Sequence, residues 1–217
     1  MPVRIPPSGP KAAKIMVVGE APRTQDVAAG EPFVSSEGRE LTNMLHDAGI
    51  LRTECFLTYV ARIAPTQGKV ENLYLKNTPK MRLAGEEFRH GMELLAQEIE
   101  DVQPNLIIAL GDAALWALTN ERGITKWRGS IMECQLVHGY KVIPTYSPAA
   151  ILRKWDWRFI AVQDLRRAEK ESHYREIKYP AYNFIVRPEF DVVMKKLDEL
   201  IERADNCGGR DGRGGHG

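Results

Sequence analysis

At 217 residues, with 43% hydrophobic and 27% charged side chains, the chain has the composition of an ordinary soluble globular protein, long enough for one sizeable domain plus an appendage. Its formal net charge of +1 excludes a global basic excess, so a nucleic-acid surface would have to be a local patch. No segment supplies the about 18 apolar residues of a spanning helix, and Met1-Pro2-Val3-Arg4-Ile5-Pro6-Pro7 has no apolar signal core, which reads as a cytoplasmic protein.

Residues 1–13 read as an extended, Pro-rich lead-in. Lys14–Gly19 is an apolar run that reads as a buried strand. Glu20-Ala21-Pro22 follows it, and Glu31-Pro32-Phe33-Val34 comes a short loop later. Between Glu37 and Ala48, Leu41, Met44, Leu45 and Ala48 fall at helical spacing. A strand, a polar loop and a helix in that order mark the crevice where open α/β sheets bind ligands. The loop holds an acid at its mouth and a ring further along, a pairing that suits recognition of, or chemistry on, a flat heterocycle.

Glu54–Ala61 reads as a second strand, and Ile63–Thr78 as a long polar loop of the kind that is often functional. Pro79 is expected to open a helix through Val102, with Met81, Phe88, Met92, Leu95 and Ile99 at core spacing. Pro104–Gly111 is a strand ending in a glycine turn, and Asp112 is expected to cap a helix through Leu118. Arg122–Arg128 is a basic connection. Ser130–Val137 and Tyr140–Pro144 read as strands, Thr145–Leu152 turns into a short helix, and Trp155–Glu171 forms a longer one. This alternation predicts an α/β fold, a three-layer α/β/α sandwich with a central, mainly parallel sheet. Past Ser172 the pattern changes. Tyr182–Val186 reads as a short strand, Pro188 opens an amphipathic helix to about Ala204, and the Gly-rich end is expected to be disordered. The organisation expected is a lead-in over 1–13, a domain over 14–172, a strand-helix appendage or linker over 173–205 and a tail over 206–217.

Glu20, directly beyond the first strand, can position water or stabilise a cationic transition state, or it can pair with an arginine or cap the next helix. Phe33 can stack on a base or fold beneath its loop. Ser147-Pro148 opens a helix whose N-terminus attracts phosphate, with Arg153, Lys154 and Arg158 just after. Ile151-Leu152 offers an apolar wedge for a base stack; the same residues also suit a capped core helix with solvated charges. Arg128 belongs to a second basic-aromatic cluster, and Arg62 and Lys69 flank the long loop. A parallel sheet brings these loops to one edge, which favours a phosphate-binding rim. Cys55, Cys134 and Cys207 are dispersed and form no C-x-x-C, so no metal or other cofactor is expected.

These motifs, in this order, resemble the uracil-DNA glycosylase superfamily, in particular its family-4 type and the related domain at the front of some phage DNA polymerases. The family's G-E-A-P-G and P-F-V-G blocks correspond to Gly19-Glu20-Ala21-Pro22 and Pro32-Phe33-Val34. Its T-N-V-V-K strand corresponds to Thr58-Tyr59-Val60-Ala61-Arg62, and its I-x-A-L-G turn to Ile108-Ala109-Leu110-Gly111. Its R-G pair and T-Y-H-P-A-A-L-L-R block correspond to Arg128-Gly129 and Thr145-Tyr146-Ser147-Pro148-Ala149-Ala150-Ile151-Leu152-Arg153.

The resemblance implies a catalytic acid at Glu20, with Ser147 at the second catalytic position. It implies base-binding positions at Ala21, Phe33 and Tyr59. Together with the local reading above, DNA contacts are expected at Arg128, Ser147, Pro148, Ile151, Leu152, Arg153, Lys154 and Arg158. Two substitutions stand out. The family's uracil-reading Asn falls at Tyr59, and its His at Ser147. A phenol cannot meet the edge of uracil as an amide does, and a neutral hydroxyl is a poorer partner for a developing anion. Arg23 stands where the family has Gly, and the cysteines of the family's iron–sulfur cluster are missing.

The function expected is a DNA-binding, uracil-DNA glycosylase-like domain of phage-type replication or repair with weak or no uracil excision. Its partner would be single-stranded or duplex DNA, with a DNA polymerase or exonuclease domain downstream. The chain would then be a monomeric fragment in the bacterial host cytoplasm, away from membranes. The alternatives are an active glycosylase of altered specificity and a structural module packing on a polymerase.

Overall fold

The computed structural model describes residues 4–78, 82–178 and 186–207, and the chain divides into two units, Met1–Ile177 and Lys178–Gly217. In the first unit five strands form one sheet: β1 (Ile15–Gly19), β2 (Cys55–Tyr59), β5 (Leu106–Leu110), β6 (Met132–Glu133) and β7 (Lys141–Thr145). Their order is β2-β1-β5-β7-β6, parallel except for the short antiparallel edge strand β6. The fold is therefore an α/β sandwich around a mainly parallel sheet.

β1, β2, β5 and β7 are buried along their whole length, as strands covered on both faces must be. Alternation in β1 sends Ile15 and Val17 to one face and Met16 and Val18 to the other. The first face packs on helices α2 (Ser36–Asp47), α6 (Pro148–Arg153) and α7 (Trp157–Glu171) through Leu41, Met44, Ile151 and Leu165. The second packs on α3 (Glu86–Val102) and α4 (Asp112–Thr119) through Phe88, Leu95, Ile99 and Leu115's neighbours Ala114 and Leu118.

Chain order sets the site. From β1 the chain moves outward to β2, then crosses back to β5 on the other side of β1. The crevice between the carboxyl ends of β1 and β5 is thus the topological switch point, where open sheets bind ligands.

Several local expectations change. The loop after β1 contains a short helix, α1 (Thr24–Ala29). α3 begins at Glu86, not Pro79, because the chain before it forms a hairpin of β3 (Tyr74–Asn77) and β4 (Arg82–Ala84). The Arg82 guanidinium anchors that hairpin, lying 4.9 Å from the Tyr74 ring centroid and 5.4 Å from that of Trp116. Gly111, at φ +91°, precedes α4, and Asp112 is the first helical residue instead of the cap. The Asp112 carboxylate instead accepts from the Gly123 N–H at 2.7 Å and pairs with Arg82 at 2.6 Å. The basic connection contains a single helical turn, α5 (Ile124–Trp127). The lead-in is tied down, with Ile5 buried and Ser8 exchanging backbone hydrogen bonds with Leu57.

In the second unit α8 (Phe190–Cys207) carries exposed Phe190, Val193, Met194, Leu197 and Ile201. The expected Tyr182–Val186 strand and Gly-rich tail lie largely outside the described residues, as does Pro79. Among the described residues no helix is long and apolar enough to cross a membrane.

Gly91 lets α3 approach the end of β2, since a Cβ there would collide with the Val60 carbonyl oxygen. Gly91→Ala is expected to destabilise the protein by about 1–3 kcal/mol, as overpacking does. Denaturant unfolding would register this as a lower midpoint at unchanged slope, and an unchanged midpoint would contradict the close approach.

Candidate functional site

Glu20 is the first residue beyond β1, and its carbonyl accepts the Ala61 N–H at 3.0 Å, continuing the β1–β2 pairing past the strand ends. Its side chain crosses the switch point. Oε1 accepts the Ala113 N–H at 2.9 Å, in the first turn of α4. Gly111 makes room for this contact: a Cβ there would lie 2.6 Å from Oε1. Burial pushes the Glu20 carboxyl above its ordinary value, and neighbouring Asp112 adds to the shift, against the opposing hydrogen bond from Ala113. Such a carboxyl can hold or release a proton at a developing charge.

Phe33 and Tyr59 form the second part of the site. Their ring centroids lie 4.4 Å apart at an interplanar angle of 33°. Tyr59 ends β2 opposite Gly19 of β1, and both rings lie over that glycine; a Cβ there would sit 2.7 Å from each. Phe33 has φ +58°, a left-handed conformation that costs a non-glycine residue about 1–3 kcal/mol. Three features hold it there. The Tyr59 hydroxyl accepts the Phe33 N–H at 3.0 Å. Arg52 Nη2 donates to the Pro32 and Phe33 carbonyls, each at 3.1 Å. Gly38 leaves space that a Cβ would take from the Phe33 carbonyl.

Beneath the rings lies Asp26, fully buried. Its Oδ1 accepts the Val34 and Ser35 N–H groups at 2.9 and 3.0 Å. Its Oδ2 accepts the Arg23 N–H at 2.8 Å and the Tyr59 hydroxyl at 3.0 Å. Burial raises the Tyr59 phenol, with the Asp26 charge adding to the effect, so Tyr59 remains a hydrogen-bond donor. Sequence reasoning missed Asp26 and Arg52. An acid in the first turn of a short helix reads as a dipole complement, and only the fold turns it inward.

Glu20, Ala21, Phe33, Tyr59, Ser147 and Pro148 line one cavity of about 30 Å³. That is room for about one water, an order of magnitude below the about 300–1,000 Å³ of small-molecule sites. The rings and the Asp26 hydrogen bonds fill the space beside the acid. Ser147 is the N-cap of α6, its Oγ accepting the Ala150 N–H at 3.3 Å.

The remaining candidates divide. Arg153 and Lys154 are exposed, Lys154 lying 4.6 Å from the Trp157 ring centroid. Leu152 is exposed, but Ile151 is fully buried, because α6 turns it onto α2 and the sheet, so it cannot serve as a wedge. Arg128 is bound by Asp164, which also accepts the Thr145 hydroxyl at 2.8 Å. Arg158 is bound by Glu40 and Asp47, each at 2.8 Å. Arg62, expected on a phosphate rim, is instead buried in an ion pair with Glu98 at 2.7 Å. Cys55 and Cys134 are buried on opposite faces of the sheet, and three cysteines in the chain are too few for a four-thiolate cluster.

A mainly parallel sheet with an acid at its switch point and a ring pair beside it makes an α/β protein with its candidate site in that crevice. Residues 6–173 match the model of the uracil DNA glycosylase superfamily, and the chain belongs to that superfamily. It is 33% identical over 160 residues to a type-4 uracil-DNA glycosylase of Thermotoga maritima, covering 72% of this chain and 76% of that one. It is 31% identical over 179 residues to one of Archaeoglobus fulgidus, covering 80% and 79%. A DNA polymerase of Bacillus phage SP01 is 27% identical over 159 residues, covering 72% of this chain and 16% of that protein.

Because the folded protein holds the Glu20 proton more tightly than the unfolded chain, stability is lost as pH rises from the ordinary value of 4.5 through the raised folded value. Glu20→Gln keeps an acceptor for Ala113 and removes the charge. Its melting temperature is expected to exceed that of the parent at pH 7 and to converge with it near pH 4. Calorimetry at the two pH values checks this; an equal gap at both would contradict it.

Proposed function

We propose that the protein is a DNA-binding member of the superfamily, of phage-type replication or repair, with weak or no uracil excision. The observation that carries this reading is the occupied base side of the site. Tyr59 packs at a tilt against Phe33 and is anchored through its hydroxyl, and the cavity beside Glu20 measures about 30 Å³. The relatives named type-4 uracil-DNA glycosylase support DNA as the ligand, and exposed Lys69, Arg153 and Lys154 suit its phosphates.

Excision requires a departing uracil anion and an oxocarbenium-like sugar to be stabilised together. Glu20 serves the sugar or its attacking water. The hydroxyl of Ser147 is a weak partner for the anion, and losing one preorganised donor typically costs about 10²–10³ in rate. Tyr59 removes the amide that would read the base and fills its place. The Glu20 carboxylate, held in the crevice by the Ala113 N–H, favours a second reading, an active DNA base-excision glycosylase with altered specificity.

The test is abasic-site formation on a uracil-containing single strand under enzyme excess. The natural sequence is expected to give none or very little. Tyr59→Asn combined with Ser147→His should raise the rate by about 10²-fold or more, and Glu20→Gln on that background should abolish the gain. Robust excision by the natural sequence would favour the second reading.

A further inference from the structure

The crevice continues outward from Glu20 into an open, mainly polar cavity of about 230 Å³, whose wall on the α6 side is Ala149 and Arg153. Beyond Arg153 the chain leaves α6 and enters α7, and the surface changes character. Trp155 is 58% exposed and Phe159 70% exposed, which is informative for side chains so large and apolar. Both line a groove of about 450 Å³ between α7 and the end of α2, together with Val162, Arg166 and Asp47. Nothing in the chemistry at Glu20 uses these rings.

The aromatic residues of this segment sort by partner. Trp157 stacks on buried Tyr146, with ring centroids 4.4 Å apart and planes at 15°, and so belongs to the core. Trp155 is backed by Arg158, whose guanidinium lies 5.3 Å from the ring centroid. Glu40 and Asp47 pin Arg158, so the support behind Trp155 is fixed before any ligand arrives. Phe159 has no ring or cation partner among the described residues. The charges divide as well. Arg158 engages Glu40 and Asp47, and Arg166 donates only to the Asp47 backbone carbonyl, at 3.2 and 3.3 Å. Arg153, Lys154 and Arg166 are therefore cations without an ion pair, against one unpaired acid on the segment, Asp156.

Exposed rings among surplus cations suit an unpaired nucleic-acid strand. Every base has a face that can stack, whatever its identity, and the cations meet the backbone. A duplex keeps its base faces inside its own stack, so these rings have nothing to receive from it. We infer that the α6–α7 junction is a stacking platform for single-stranded DNA: a strand that enters the crevice continues past Arg153 and lays bases on Trp155 and Phe159. The inference rests on the DNA-binding reading above and adds to it the strand state and a contact surface outside the crevice.

Fluorescence anisotropy with a labelled single strand of mixed sequence and with the matching duplex, each over a range of salt concentrations, tests this. The parent protein is expected to prefer the single strand. Trp155→Ala and Phe159→Ala should each weaken single-strand binding by about fivefold or more and leave duplex binding nearly unchanged. Their salt slopes should match the parent's, because a ring neutralises no phosphate, whereas Arg166→Gln should lower the single-strand slope by about 0.7. Phe159→Trp keeps a ring and should keep the affinity. Unchanged single-strand affinity in both alanine variants would overturn the inference, leaving the groove to a protein partner and the DNA-binding reading intact. Equal losses on single strand and duplex, or a parent preference for the duplex, would also overturn it. Failure of the parent protein to bind either form would overturn both.

Discussion

Asp26 sits at the centre of the site without touching the acid of the crevice. A buried carboxylate is costly unless hydrogen bonds replace its water. Here four donors do so: the backbone of Arg23, Val34 and Ser35, and the Tyr59 hydroxyl. Charge-assisted bonds of this kind are roughly twice as strong as neutral ones. They draw three separate pieces of chain together, the turn before α1, the loop after it and the end of β2. Without that carboxylate the donors would be buried with no partner, at about 1–3 kcal/mol each.

From this anchor follows the shape of everything nearby. Tyr59 donates to Asp26 and accepts from Phe33, so its ring cannot leave the crevice without breaking both bonds. Phe33 is held at a positive φ by the same hydroxyl and by Arg52, with glycines at 19 and 38 leaving room for the rings and the loop. The strain is thus offset locally by contacts that also close the aromatic half of the crevice. Glu20 is held independently, by Ala113 and by the absence of a side chain at Gly111. The site therefore has two halves with separate supports: a closed aromatic half and an open polar half that share one carboxylate.

Much of this was legible in the chain. Apolar runs of strand length alternating with 3.6-residue periodicity announce the parallel sheet, and Glu20, Tyr59 and Ser147 lie at element ends, with Phe33 in the loop between α1 and α2, where short motifs are legible as pattern. What stayed hidden depends on distant partners. Met81 and Phe88 share helical spacing, yet β4 pairs with β3 before α3 begins, because Arg82 finds Tyr74, Trp116 and Asp112. Arg62, Arg128 and Arg158 look like surface cations until Glu98, Asp164 and Glu40 arrive from other elements. Ile151 and Leu152 are equivalent in sequence, and only the phase of α6 against the sheet makes one core and the other surface. Asp26 is the extreme case, since its four partners come from both ends of a loop and from β2.

The most direct measurement of this arrangement is amide hydrogen exchange at Phe33, Val34 and Ser35. Loop amides on a protein surface exchange with little protection, whereas amides held in a closed, buried network exchange only when it opens. The account predicts strong protection at all three, lost together in Asp26→Ala and lost at Phe33 in Tyr59→Phe. Rapid exchange at Phe33 in the parent protein would contradict it, because the Tyr59 ring would then be free to leave the crevice and its aromatic half would not be closed.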